Sequence, residues 1–73
     1  MKTLDKSERQ VLIRKYMHTE KPLCFGDALK KVNNFHGYLK DMNIKLKQKG
    51  KTKEEREIRF KREFYELCQR LEA

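Results

Sequence analysis

Residues 28–46 read ALKKVNNFHGYLKDMNIKL, and the spacing of their apolar positions decides the fold. Leu29, Val32, Phe35, Leu39, Met42 and Leu46 recur at gaps of three and four, a helical stripe sustained for about five turns. Asn33, Asn34 and Gly37 are poor helix formers inside it, yet the stripe keeps its phase straight across them. One helix over about 27–48 is therefore predicted, with Asp27 as its N-cap. A break at Asn33–Gly37 is the rival. It would leave Ala28–Val32, a turn, then Tyr38–Gln48 in helix-turn-helix outline, with Tyr38, Lys40, Asp41, Asn43 and Lys47 on the recognition helix. Gly37 falls later than the usual turn glycine of that motif.

Downstream, Gln48-Lys49-Gly50-Lys51 reads as a turn, with Gly50 suited to the left-handed residue that ends a helix. Thr52 and Glu55 form a capping box that opens a helix over about 53–72. Phe60, Phe64, Leu67, Cys68 and Leu71 share one apolar arc of that helix, extended by Ile58 and Tyr65. Its far side pairs Glu55–Arg59, Arg59–Glu63, Arg62–Glu66 and Glu66–Arg70 at i, i+4, which predicts a salt-bridged, solvated face. Upstream, a short helix over about 6–18 is capped by Asp5 or Ser7, with Gln10 three residues after Ser7 as a weak capping box. Its pairs Leu12–Tyr16 and Ile13–Met17 make one sticky face, and Pro22 marks its end. No segment alternates with period two. The expected fold is all-α: a small three-helix bundle built on a long antiparallel helical hairpin, with the short N-terminal helix across it.

The chain has 73 residues, 37% hydrophobic and 41% charged, so a single helical domain over 1–73 with a thin core is expected. The short first helix cannot cover the whole hairpin, which leads to an expectation of self-association as a homodimer or of a core completed by a partner. No apolar run approaches the roughly 20 residues of a membrane helix, so no membrane partner is expected. The opening residues MKTLDKSERQ lack the apolar region of a secretory signal, and a cytoplasmic protein is the expectation.

Catalytic chemistry finds little to work with. There is no nucleophile elbow, Gly-rich phosphate loop or HExxH motif. His18 reads as a capping or solvated residue, and His36 as a half-buried one at the edge of the stripe. Cys24 and Cys68 stand far apart, without the paired spacing of a zinc site, and read as reduced small hydrophobes. No enzyme activity, catalytic residue, metal, cofactor or small-molecule substrate is expected.

Charge is the unusual feature. Between residues 40 and 62, ten basic residues stand against four acidic ones, a net +6 of the chain's +8. Lys40, Lys45, Lys47, Lys49, Lys51, Lys53 and Arg56 concentrate it at the hairpin tip. Such a tip suits a polyanion, because each neutralised phosphate releases condensed counterions. Lysines on a flexible turn contact phosphates and do not read bases. The bland counterpart is a tip that only keeps the hairpin end wet. The expected function is a small basic binding protein that associates with DNA or RNA backbone, or with a nucleic-acid-handling protein, through these lysines. The alternative is a protein-binding adaptor or inhibitor, of the phage or mobile-element type by size alone, that blocks or redirects a host protein. Tyr38 at the edge of the stripe and Ile44 on the polar side of the helix are its candidate partner-binding residues.

Overall fold

The computed structural model describes residues 4–72 and forms three helices: α1 (Lys6–Met17), α2 (Phe25–Gln48) and α3 (Lys53–Glu72). No strand occurs among the described residues. The helices make an all-α bundle with extents of 39 × 21 × 17 Å.

α1 starts on a reciprocal capping box. The Asp5 carboxylate accepts from the Glu8 N–H at 2.7 Å, and the Glu8 carboxylate accepts from the Asp5 N–H at 3.1 Å. Of the two caps the sequence offers, Asp5 prevails, and Gln10 takes no part. Asp5 has extended backbone geometry, and Leu4 before it is buried. Met17 is the last helical residue, and His18, expected inside the helix, is its C-cap. The link after it folds back, with the Leu23 N–H donating to the Tyr16 carbonyl at 3.1 Å.

α2 begins two residues earlier than predicted. Cys24 is its N-cap, without a side-chain hydrogen bond, and Asp27 lies in the first turn instead of capping it. There its carboxylate faces the positive end of the helix dipole, so the acidic residue still favours the start. The helix is unbroken across Asn33–Gly37, which rules out the helix-turn-helix outline. Burial of Val32 and Leu39 on either side of the weak stretch holds it helical, and the Arg9 guanidinium donates to the Asn33 side-chain carbonyl. Tertiary packing outweighs the roughly 1 kcal/mol propensity deficit of a mid-helix glycine.

One cluster forms the core: Leu4, Leu12, Val32, Leu39, Phe60, Phe64, Leu67 and Cys68, with Ile13, Tyr16, Phe35, Met42 and Leu71 packed against it. Ala28 is buried as well. The expected hierarchy of helices changes, however. α1 packs most closely, against α2 first and α3 second, whereas α2 and α3 approach each other at the fewest places. Phe60 and Phe64 of α3 are buried in the cluster that all three helices share, and bulky contacts set axes farther apart. The hairpin is thus a loose one, and α1 is the element that ties it together. An ion pair between Lys15 and Glu72 adds to that tie, and the carboxylate raises the Lys15 pKa.

Two residues of the predicted α3 arc lie outside the core. Ile58 is 65% exposed and Tyr65 62%. Both sit at the margins of the arc, beyond the width that α1 and α2 cover. The far side of α3 also differs from expectation: of its i, i+4 pairs, only Arg59–Glu63 closes among the described residues, at 3.9 Å. Exposed pairs gain so little over hydration that their long side chains are free to stay in water.

Candidate nucleic-acid interface

The turn between α2 and α3 is a tightly bonded one. At its start the Gly50 N–H donates to the Lys47 carbonyl at 3.0 Å, and the Lys51 N–H to the Leu46 carbonyl at 3.0 Å. That pair of bonds is a Schellman motif, and it requires the left-handed φ of +81° that Gly50 adopts. On the other side, the Thr52 hydroxyl accepts from the Glu55 N–H at 3.2 Å, the first half of the predicted capping box. Among the described residues the reverse bond from Glu55 is not made. Arg56 closes the loop, its guanidinium donating to the Lys51 carbonyl at 3.0 Å. The flexible turn expected from the sequence is instead pinned from both helices.

On this frame Lys40, Lys45, Lys47, Lys49, Lys51 and Lys53 are all exposed. Arg56, grouped with them from the sequence, is half-buried and serves the turn; its Nε is buried without a hydrogen-bond partner. The lysines do not form a stripe. Alternate residues would share a face on a strand, but on a helix each step of two rotates by about 200°. Lys45 and Lys49, one turn apart, therefore share one side of α2, and Lys47 takes the opposite side together with Lys40. Lys51 and Lys53 continue the ring across the turn and onto the start of α3. Positive charge surrounds the tip on every side.

Between the two sides the surface differs. Beside Lys45 and Lys49 lies a groove of about 310 Å³, with Met42 and Leu46 in its wall and Tyr38 at one end. Arg59 reaches it from α3, and Asp41 is its one carboxylate. Tyr38 is 51% exposed, and its ring pairs with that of Phe35, with centroids 6.2 Å apart and planes 25° from parallel. Ile44, the second residue singled out for a partner, is also exposed but points away from this groove, on the side of Lys40 and Lys47. Tyr38 and Ile44 therefore do not form one patch. The sequence did not reveal the groove, because Arg59 joins it from a helix whose register against α2 is a tertiary property.

The other candidate groups are dispersed. His36 is half-buried on α2, and burial, followed by the positive charges of Lys40 and Arg9, lowers its pKa. Cys24 is exposed, whereas Cys68 is buried and its thiol pKa is raised by that burial. Among the described residues no three His, Cys, Asp or Glu side chains converge as a metal ion requires. No described helix is long and apolar enough to cross a membrane. Comparison of the chain with protein-family models, with curated proteins and with solved structures gave no match.

Proposed function

We propose that the protein binds nucleic acid through the lysine ring at the α2–α3 tip, using the phosphate backbone as its main contact. The observation that carries this is the placement of five exposed lysines, 45, 47, 49, 51 and 53, on and beside a turn fixed by backbone hydrogen bonds. A fixed turn keeps like charges together without cost in chain entropy at the moment of binding. Lysines serve as point charges toward phosphate and give little base preference.

The test is to replace all five by glutamine and to measure affinity as a function of salt. Each phosphate contact contributes about −0.9 to the slope of log K against log salt on duplex DNA, so the slope should flatten by about 0.9 for each lysine that meets a phosphate, to a ceiling of roughly 4. Helical content should persist, since none of the five lies in the core cluster. Absence of any DNA or RNA affinity in the unsubstituted protein near ~100 mM salt would defeat the proposal.

The exposed Ile44 supports a second reading, in which the protein grips a protein partner and the lysines steer the encounter. A partner whose capture survives nuclease and is lost on Ile44→Ser would favour that reading.

A further inference from the structure

We infer that the groove beside Tyr38 seats one unstacked base of a single-stranded nucleic acid, so that the tip prefers a single strand to a duplex. The inference rests on the nucleic-acid reading above and names the form of nucleic acid that the site takes. Three features of the groove carry it. Tyr38 is about half exposed, and its ring lies 25° from parallel to that of Phe35, with centroids 6.2 Å apart, so an aromatic neighbour steadies it at the end of the groove. Met42 and Leu46 supply an apolar wall next to that ring. Lys45 and Lys49 bring two cations to the same groove, Arg59 adds a third from α3 while its Nε stands 3.9 Å from the Glu63 carboxylate, and Asp41 is the one carboxylate in the lining.

A flat aromatic face bordered by cations is the pairing that single strands require: bases stack on the ring while the backbone tracks the charges. Arg59 adds a planar guanidinium that suits phosphate better than an ammonium does. Asp41 can accept from the exocyclic amino group of a base, which gives that carboxylate a use in an otherwise cationic groove. The volume fits a group of this kind, lying at the small end of the roughly 300–1,000 Å³ span of ligand pockets. A duplex could reach the lysines with its phosphates, but its bases are stacked away from Tyr38, and extruding one costs energy. Sequence alone shows three scattered tyrosines and no stacking platform. Phe35 and Tyr38 meet as an i, i+3 pair of α2, and the fold adds Arg59 of α3 to the groove that Tyr38 lines.

The experiment measures anisotropy of a labelled oligonucleotide of about 12 nucleotides, single-stranded and as duplex, near ~100 mM salt. The unsubstituted protein should bind the single strand more tightly. Tyr38→Ala should weaken single-strand binding by about 5- to 150-fold, the range that one stacked base supplies, and weaken duplex binding by less. Tyr38→Phe, which keeps the ring face, should restore the preference. Equal affinity of the unsubstituted protein for strand and duplex overturns the inference, whatever the variants do. An equal loss on both forms in Tyr38→Ala also overturns it, and leaves the lysine tip as a duplex-competent phosphate site. If the five-lysine variant binds as well as the unsubstituted protein, the underlying reading falls instead. If neither form binds and an acidic peptide occupies the groove, both fall in favour of a protein partner.

Discussion

The two ends of this bundle are held by different forces. At one end Leu12 of α1 and Leu4, just ahead of that helix, join a cluster with residues of α2 and α3, and order there comes from excluding water. At the other end α1 is absent, Leu46 is only half-buried, and Ile44 and Ile58 are exposed. Order at that end comes from the backbone: the Gly50 and Lys51 N–H groups, the Thr52 cap and the Arg56 guanidinium. Local hydrogen bonds fix the chain without enlisting side chains in a core. The contrast teaches how so charged a segment can be well formed. A tip built by caps leaves its lysines at liberty, whereas a tip built by burial would need apolar residues in their places.

The end that is built by burial is most vulnerable at Leu12. Its side chain is fully buried at the junction of all three helices, so Leu12→Ala should cost about 2–5 kcal/mol. In a domain this small that is a large part of the total stability. Denaturant titration checks it, and alkylation of buried Cys68 should accelerate in parallel while exposed Cys24 stays equally reactive. At the other end, Gly50→Ala places a Cβ at a φ of +81°. No neighbour obstructs that atom, so only the backbone strain of about 1–2 kcal/mol should appear, seen as a drop in Tm. A loss as large as that of Leu12→Ala would show that the tip shares the core's cooperativity.

A smaller effect is expected at Ile58. As an exposed residue, Ile58→Lys should change stability by no more than about 0.5 kcal/mol, whereas a place in the apolar arc would make it severe. The same variant sharpens the assembly question: sedimentation should be unaltered unless Ile58 meets another chain. The last and smallest effect concerns pH. Folding lowers the pKa of His36, through burial and then through Lys40 and Arg9. The unfolded chain therefore binds the extra proton first as pH falls through the ordinary histidine range near about 6.5. Stability present above that pH should decline below it, and His36→Gln should flatten the decline. A stability that rises on acidification through that range would contradict the sign.

Much of the molecule was legible without coordinates, and the reason is local. Gaps of three and four from Leu29 to Leu46 identify a helix because residues at those intervals share a face of any α-helix. Gly50 identifies its end because few other residues tolerate a left-handed φ. The lysines at 45, 47, 49, 51 and 53 carry their charge in any fold, so the basic tip was visible from the start. Less visible was the choice between Asp5 and Ser7 as cap, or the early start of α2 at Phe25, since several residues there could begin a helix and only the chain's path selects one.

What the tertiary structure alone decided is which faces found a cover. Ile58 and Tyr65 have the periodicity of core residues and lie in solvent; Leu4, outside any helix, is buried. α1, the shortest helix, became the tie between the long ones, and the closest packing runs through it. Arg59 came to lie beside Tyr38, Lys45 and Lys49, making a groove that belongs to neither helix by itself. The physical reason is common to all of these. Sequence periodicity assigns a side chain to a direction around its own helix axis, but burial and shared sites depend on the distance and angle between axes. Those are set by how the bulky residues of three helices fit together at once.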